Sequence, residues 1–308
     1  MSLESDLLLD RRRLKRRLLF WRGATVLAVL VCALVALGKT GLIAGSHVAR
    51  LEVTGTIGED HKLNEAVEAL AKDDSVKALI VSVNSPGGSV SGGESLHGAI
   101  AKVAAAKPVV TVMGGMAASA GYMIAVPAAR IFARESTLTG SIGVLLETGE
   151  LSGLLGKLGV SADAITSGPL KDQPSFTKPM SAEGRAVLHG LVMDMYDQFV
   201  EMVAAGRHMD PARVRELADG RAYTGRQALK LGLIDAIGGE TDARAWLAAE
   251  KQVPASLPVE DVKPGGLAGR TLGASLGPMF QDLLKTVLFQ GVRLDGGLAV
   301  WQPVVSGQ

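Results

Sequence analysis

Residues 76–88 read VKALIVSVNSPGG, and this stretch decides the fold class. Val76–Val83 is rich in valine and isoleucine and is closed by proline and glycine, which is the pattern of a buried β-strand. Pro86 fixes one backbone dihedral, whereas Gly87 and Gly88 leave the backbone free to expose N–H groups. The stretch is predicted to end a strand at the carboxyl edge of a parallel sheet, where α/β proteins place their sites. It is either an oxyanion hole or a plain strand-to-helix turn.

Predicted strands and helices alternate on both sides of this stretch. The strands are His47–Ile57, Val76–Val83, Pro108–Met113 and Arg130–Ala133, and the helices are Lys62–Ala71, Ser91–Ala106, Met116–Ala125 and Ser181 to about Gly206. Strands separated by helices of this length pair in parallel through βαβ units, so the sequence predicts an α/β domain. The buried face of the last helix is expected to consist of Leu188, Leu191, Met195 and Phe199.

The N-terminal region predicts a membrane anchor. Residues 1–22 form a basic segment with seven basic and three acidic side chains, and residues 23–38 are uncharged and largely apolar. About 20 residues span a bilayer, so 23–45 suffices as a transmembrane signal-anchor if Lys39 extends to the far interface. The position of the basic side chains predicts a cytoplasmic N-terminus. The alternative is a cleaved signal peptide, although no sharp cleavage site follows the apolar run.

The rest of the chain divides into two parts. Residues 46–253 are predicted to form one domain, because the small-residue stretch around Ser119 occurs once. Proline and glycine accumulate from residue 254, which predicts a linker. An amphipathic helix over Met279–Phe289 and a tail are expected to follow, up to Gln308.

The composition excludes several classes of function. The net charge is +1, which gives no general electrostatic reason to bind nucleic acid. Cys32 is the single cysteine, so an internal disulfide is impossible. The sequence has no H-E-x-x-H motif, no cysteine pair and no G-x-G-x-x-G loop, so neither a metal nor a cofactor is expected.

One serine lies in an unusual setting. Residues 115–122 read GMAASAGY, and their small side chains surround Ser119. The pattern A-x-S-x-G from Ala117 to Gly121 resembles a nucleophile elbow that lacks its first glycine. Ser119 is also predicted to lie near a helix N-terminus, which favours developing negative charge. The residues alone leave two interpretations open, a reacting serine and a packing residue.

A base for this serine is harder to find. None of the five histidines lies between positions 98 and 188, which disfavours a Ser-His-Asp triad. A lysine can serve instead when burial brings its pKa from about 10.4 to about 7–8. The candidates are Lys102, Lys107, Lys157, Lys171 and Lys178. Lys171, in the loop TSGPLKDQPS (166–175), is the best placed, and the alternative for it is a solvated loop lysine.

Five motifs in one order resemble the signal peptide peptidase A family. They are VNSPGG (83–88), MGGMAASAGYMIA (113–125), LTGSIGV (138–144), SGPLKD (167–172) and GRAYTGRQALKLGLID (220–235), and the resemblance covers about Val48–Gly239. Members of this family are membrane-anchored serine peptidases with a Ser–Lys dyad. The resemblance therefore implies an α/β fold with the repeated β-β-α spiral core of Clp proteases and crotonases.

The resemblance also implies a role for individual residues. Ser119 matches the nucleophile, Lys171 the general base and Gly88 the backbone donor to the oxyanion. Ser141 matches a serine that orients the amine of the base. Ala120 departs from the glycine that the family commonly has there, and this leaves the nucleophile in place.

The same resemblance implies assembly, location and substrate. It implies a homo-oligomer of about eight subunits, in which the lysine of one subunit completes the site of its neighbour. The catalytic domain is expected on the periplasmic side of a bacterial inner membrane, where released signal peptides or other apolar peptides are the substrates. The alternatives are a crotonase-like acyl-CoA enzyme and an inactive membrane scaffold of the same fold.

Overall fold

Eight strands form one sheet in this structure, a computed structural model that describes residues 17–18, 20–31 and 45–263. The strands are β1 (His47–Ile57), β2 (Val76–Gly88), β3 (Val109–Ala118), β4 (Arg130–Ala133), β5 (Leu138–Gly140), β6 (Ala222–Thr224), β7 (Ala236–Ile237) and β8 (Val259–Asp261). The helices between them are α1 (His61–Leu70), α2 (Val90–Ala104), α3 (Ala120–Met123), α4 (Ser152–Lys157), α5 (Ala182–Arg207), α6 (Pro211–Leu217), α7 (Gly225–Leu231) and α8 (Glu240–Lys251).

The sheet is almost entirely parallel, and this confirms the predicted α/β class. The strand order is β6–β5–β3–β2–β1–β8, and β4 pairs with both β3 and β7. Within it, only β5 and β6 pair antiparallel. The observed bounds of β1 and β4 are those predicted from the sequence.

Both faces of the sheet are covered, which explains the nearly continuous apolar run in β2. Side chains alternate along a strand, so Leu79 and Val81 face one way and Ile80 faces the other. Leu79 and Val81 belong to the larger core cluster together with Ile100 of α2. Ile80 belongs to a second cluster with Leu247 of α8. A strand with two buried faces needs apolar residues at successive positions, as parallel sheets generally do.

Two strands extend further than predicted. The NSPGG segment is part of β2, which runs to Gly88, and β3 runs to Ala118. The predicted helix Met116–Ala125 was therefore wrong in its first turn, because the helical residues are Ala120–Met123. Alanine and methionine favour helix locally, but Met116–Ala118 pairs in register with Leu138–Gly140 of β5. Tertiary pairing thus overrides the local preference.

A bulge redirects β3 toward the loop that follows it. Val83 pairs with Met113, whereas the next β2 partner, Ser85, pairs with Ala117. Two extra residues of β3 are therefore accommodated opposite β2, and a bulge of this kind bends its strand. At the bulge, the side chain of Asn84 replaces a missing backbone acceptor, since its Oδ1 accepts the N–H of Met116 at 3.2 Å.

The segment predicted as a linker contains an ordered strand. β8 pairs with β1 at the edge of the sheet, with Val259 opposite Val48 and Asp261 opposite Arg50. The guanidinium of Arg50 also donates to Asp261 Oδ1 at 2.7 Å. Three residues are too few to show a strand period among prolines, which is why the pattern indicated a linker. The predicted helix over 279–289 and the tail lie outside the described residues.

The long helix α5 begins as predicted but packs differently. Ser181 is its N-cap, and its hydroxyl accepts the N–H of Gly184 at 2.9 Å. Phe199 and Val203 are fully buried, whereas Leu191 is 50% exposed. The prediction of a buried Leu191 was wrong, because only the second half of the helix contacts the core.

Residues 20–31 are helical and carry exposed apolar side chains. Phe20, Trp21, Leu27 and Leu30 are each more than half exposed. Among the described residues, no helix is both long enough and apolar enough to cross a membrane. Residues 32–44 of the predicted anchor lie outside the described residues.

A buried ion pair joins the end of α5 to the sheet. Arg207 donates to both carboxylate oxygens of Asp235, at 3.0 and 2.7 Å, and its Nε donates to the carbonyl of Gly232 at 3.0 Å. The N–H of Ile131 donates to Asp235 Oδ2 at 2.7 Å. The Arg207 side chain is only 8% exposed. Without Asp235, the buried guanidinium of Arg207 would lose its carboxylate partner.

Replacing Asp235 by alanine should destabilise the fold strongly. Removal of one member of a buried pair typically costs about 3–5 kcal/mol, because an uncompensated charge stays buried. We expect Asp235→Ala to lower the free energy of unfolding by that amount in urea titrations. Glu216→Ala is the control, since it breaks the exposed Arg213–Glu216 pair and should cost at most about 1 kcal/mol. Equal losses in the two variants would contradict this prediction.

Candidate active site

Ser119 lies at a strained turn between β3 and α3. Its φ is 54° and its ψ is −122°, a conformation that non-glycine residues rarely adopt. Hydrogen bonds on both sides hold it there. The Ser119 N–H donates to the carbonyl of Gly140 at 2.9 Å, and its own carbonyl accepts from Tyr122 and Met123 at 2.8 and 2.9 Å. This geometry presents a partly exposed serine at a sharp strand-to-helix turn, as a nucleophile elbow does.

The residues after Ser119 anchor the short helix α3. The ring of Tyr122 is fully buried, and its hydroxyl donates to the carbonyl of Leu233 at 2.7 Å. Burial raises the pKa of the Tyr122 hydroxyl above its usual range, so the group stays a neutral donor. A Cβ added at Gly121 would lie 3.0 Å from the carbonyl oxygen of Ser85. The small side chains around Ser119 therefore let α3 pack closely on β2.

The end of β2 passes directly beside Ser119. Gly87 has a φ of +117°, and a Cβ placed there would lie 2.9 Å from the Cβ of Ser119. At Gly88 a Cβ would lie 1.8 Å from the carbonyl oxygen of Ile57. Both positions require glycine, since a Cβ at Gly87 would clash with Ser119 and a Cβ at Gly88 would clash with β1.

The N–H of Gly88 points toward the Ser119 side of β2. The next residue, Ser89, donates its N–H to the carbonyl of Ile57 in β1 at 2.9 Å. Successive N–H groups of an extended strand point to opposite sides, so that of Gly88 is directed away from β1. The neighbouring N–H of Ala120 opens α3 and has no acceptor within the helix. Two backbone donors thus flank the serine, an arrangement that can stabilise an oxyanion.

Ser141 is brought next to Ser119 by the pairing of β3 and β5. Ala118 is opposite Gly140 in that pair, so both serines come one residue after paired positions. Ser141 also has a positive φ, 47°, and its N–H donates to the carbonyl of Arg221 at 3.0 Å. The structure therefore collects Ser119, Ser141 and the Gly87–Gly88 backbone at one place.

Lys171 is not part of this cluster within one protomer. It lies in an exposed loop, where its N–H donates to the carbonyl of Gly168 at 3.2 Å. Within the described chain, its Nζ forms no hydrogen bond with Ser119 or Ser141. The structure thus assembles the nucleophile side of the predicted site without the predicted base.

Three of the other candidate lysines have structural partners. Lys102 donates to Glu68, and Lys178 pairs with Asp163 and Asp172. Lys107 donates to the carbonyl oxygens of Asp73 and Val76, and burial lowers the pKa of its amine. Lys157, on the short helix α4, is exposed.

The histidines and the possible metal ligands of the described chain lie apart from Ser119. Burial lowers the pKa of His97 in α2, and no described histidine forms a hydrogen bond with Ser119. Residues 45–263 and the short N-terminal stretch contain no group of three or more side chains able to bind a metal. A cavity of about 870 Å³ lies between residues 146–150 and 179–185, and none of the cluster residues lines it.

The sequence did not reveal two glycines that determine the surroundings of Ser119. Gly87 leaves no room for a Cβ beside Ser119, and the carbonyl of Gly140 accepts the Ser119 N–H. Both occur in the predicted motifs, but a glycine in a motif does not reveal its contact. Their partners lie more than twenty residues away along the chain, so only the folded structure identifies them.

Comparisons with known families match the greater part of the described domain. The model of "Peptidase family S49" matches residues 101–254, which is half of the chain. The model of the Clp protease family matches residues 51–139. Together the two matches include β2, which passes beside Ser119, and β3, which leads into it.

Individual relatives are similar over most of the domain. The protein named "Putative protease slr0021" of Synechocystis sp. is 42% identical over 65% of this chain and 73% of its own length. The protein named "Putative signal peptide peptidase SppA" of Enterococcus faecium is 39% identical over 74% of this chain and 66% of its own length. Protease 4 of Salmonella typhi is 40% identical over 63% of this chain, but only 31% of its own length.

Replacing Gly87 by alanine should slow the reaction of Ser119. The added methyl would displace the serine side chain, and a shift of about 1 Å at a reacting group can cost about 10²-fold in rate. We expect Gly87→Ala to slow labelling of Ser119 by a fluorophosphonate probe by about that factor. Gly98→Ala is the matched control, because a Cβ there meets nothing within 4 Å. Equal labelling rates in the two variants would contradict the contact.

Proposed function

This chain belongs to peptidase family S49, and from that premise we propose that it is a membrane-anchored endopeptidase with a Ser119–Lys171 dyad. The family and the protease relatives make it a serine peptidase. The proposal concerns its residues, assembly, location and substrates. The observation that carries it is Ser119 at a strained turn, flanked by the N–H groups of Gly88 and Ala120.

The proposed reaction is acyl transfer. Ser119 Oγ attacks the carbonyl carbon of the scissile peptide bond, and its proton passes to the neutral Nζ of Lys171. The carbonyl oxygen becomes an oxyanion that accepts from the N–H groups of Gly88 and Ala120. The protonated lysine then donates to the leaving amine. Water, deprotonated by the same lysine, attacks the acyl-enzyme and restores Ser119. Ser141 orients the amine of the base.

We propose that the lysine comes from a neighbouring copy of the chain. A lysine can accept a proton near neutral pH only when burial disfavours its charged form. The Lys171 side chain is exposed in one protomer and has no partner on the nucleophile side. A second copy packed over this loop would bury the amine and bring it to its own Ser119.

Exposed apolar side chains support such an assembly. They are concentrated in residues 145–191, the same region that carries Lys171, and they include Leu145, Leu151, Leu154, Leu158, Ile165, Phe176 and Leu191. Large exposed apolar patches of this kind mark interaction surfaces. We propose a closed homo-oligomer, of about eight subunits by family resemblance. The cavity beside residues 146–150 would then lie at or near the contact between copies.

The location and the substrates are proposed from the sequence and the site together. The basic segment 1–22, the apolar run and the exposed apolar side chains of residues 20–31 support an anchor with a cytoplasmic N-terminus. The catalytic domain would then act outside the cytoplasm of a bacterial cell. Glycine and alanine around Ser119 leave room for small side chains near the cut. Released signal peptides, or other apolar peptides from membranes, have such residues.

The dyad is tested by complementation between inactive chains. The full-length chain is purified in detergent and assayed with a fluorogenic peptide that has small apolar residues before the cut. We expect Ser119→Ala and Lys171→Ala each to lower turnover at least about 10³-fold. Co-expression of the two variants with different tags, followed by purification on both tags, should restore about a quarter of the sites, because subunits combine at random. Lys157→Ala, on the same exposed region, should retain full turnover.

A different result would contradict each part of the proposal, namely the base, the shared site and the nucleophile. Near wild-type turnover in Lys171→Ala would show that another group is the base. No recovery in the doubly tagged oligomer would place both residues in one chain. A Ser119 that does not react with a fluorophosphonate would favour the acyl-CoA enzyme or the inactive scaffold.

The assembly surface is tested by introducing charge. Leu154→Glu combined with Leu158→Glu places two carboxylates on an interface that must exclude water, which should shift the protein to smaller species. We expect sedimentation to detect the loss of mass, and turnover to fall with it. Leu229→Glu on α7, outside residues 145–191, is the control and should keep the wild-type mass. Unchanged mass in the double variant would rule out this surface.

A further inference from the structure

A fully buried hydroxyl lies under the proposed oxyanion strand. Ser85 in β2 has 0% exposure, although it belongs to the polar NSPGG segment. Its Oγ accepts the N–H of Gly87 at 3.1 Å and is placed to donate to the carbonyl oxygen of Gly87 at 3.3 Å. One side chain thus holds both backbone groups of the glycine that touches Ser119.

Gly87 lies where the pairing of β2 with β1 is irregular, so an additional restraint on its backbone matters there. Its φ of +117° lies in a region that glycine enters at little cost and also leaves at little cost. The ladder to β1 is irregular there, since Thr54 pairs with Asn84 but Thr56 pairs with Gly87. The preceding residue, Pro86, has no N–H to add a bond. The Ser85 hydroxyl therefore adds hydrogen bonds at an irregular part of the ladder, where Gly87 and Gly88 pair with Thr56 and Ile57.

Restraining Gly87 also determines where the N–H of Gly88 points. The peptide unit between the two glycines is planar and trans, so its C=O and N–H point in opposite directions. A hydroxyl that holds the carbonyl of Gly87 therefore fixes the orientation of the Gly88 N–H. That N–H is the one directed to the Ser119 side of β2.

Ser85 also contacts the helix that carries the nucleophile. A Cβ added at Gly121 would lie 3.0 Å from the carbonyl oxygen of Ser85 and 3.5 Å from its Cβ. Ser85 is thus packed between the start of α3 and the turn at Gly87. A change in its side chain would therefore first alter the position of the Gly87–Gly88 peptide unit, which carries the proposed oxyanion donor.

We propose that Ser85 is a positioning residue that orients the Gly88 N–H toward the oxyanion. This inference rests on the proposed function, in which Gly88 stabilises the tetrahedral intermediate. Ser85 touches no substrate and transfers no proton. It affects the transition state more than substrate binding, because the neutral carbonyl of a bound peptide accepts a weaker hydrogen bond from the Gly88 N–H than the oxyanion does.

Ser85→Ala tests the proposal, because it removes only the hydroxyl. Loss of one oxyanion donor costs about 10²–10³-fold in kcat, so a misdirected donor should cost at least about tenfold, with KM unchanged. A peptide aldehyde, which forms a tetrahedral adduct with Ser119, should bind more weakly by the same factor. The matching peptide alcohol, which forms no adduct, should bind as it does to the wild type. A purely structural defect would lower the fraction of active enzyme. The two inhibition constants do not depend on that fraction, so they distinguish a misdirected donor from partial unfolding.

Two further variants make the result specific. Ser75→Ala removes a buried hydroxyl at the other end of β2 and should leave kcat and both inhibition constants unchanged. Ser85→Cys keeps the packing but offers only a weak donor, so its kcat should also fall. If Ser85→Ala does not fold, the Cys variant decides the question. Wild-type kcat and aldehyde affinity in the folded Ser85 variants would overturn the proposal.

The outcome of this experiment is separable from that of the proposed function. Ser119→Ala is assayed in parallel with the full-length chain in detergent. Wild-type turnover in Ser119→Ala would overturn the proposed function and the role of Ser85 with it. An inactive Ser119→Ala together with an unaffected Ser85→Ala would overturn the role of Ser85 alone.

Discussion

The backbone of Ser119 is held from both sides, and the rest of the site depends on this constraint. A strand hydrogen bond to Gly140 holds its N–H, while the first turn of α3 uses its carbonyl. The residue between these two partners is forced to a positive φ, which costs on the order of 1–3 kcal/mol. The buried ring of Tyr122 and the pairing of β3 with β5 offset this cost. The strain is tolerated because the core fixes both neighbours of the serine.

Backbone groups, rather than functional side chains, form the immediate surroundings of Ser119. Gly87 and Gly121 let β2 and α3 approach within contact distance, and each would clash or crowd with one added carbon. Main-chain N–H groups held by strands and helices need no reorganisation when charge develops, which is the property an oxyanion site requires. This explains why the sequence around the site is poor in functional side chains. In the proposed reaction, main-chain N–H groups held in place by the fold would stabilise the developing charge.

The protomer has a complete core, whereas the two residues of the proposed dyad lie apart within it. Its core is continuous on both sides of the sheet, and a buried ion pair ties α5 to it. The region around Lys171, in contrast, exposes many apolar side chains and leaves the lysine in solvent. One event, contact with another copy, would bury this apolar surface and change the environment of the amine. Burial of the same surface would then both stabilise the assembly and prepare the lysine to accept a proton.

The α/β class, the bounds of β1 and β4 and the start of α5 at Ser181 could be predicted from the amino-acid sequence, which also singled out the stretch around Ser119. These features depend on apolar periodicity and on residues close along the chain. In contrast, the strand at Met116–Ala118, the positive φ of Ser119 and the direction of the Gly88 N–H away from β1 emerge only in the folded chain. Each of these depends on hydrogen bonds to partners far away in sequence. Local preference cannot choose such partners, because their positions are set only when the sheet is assembled.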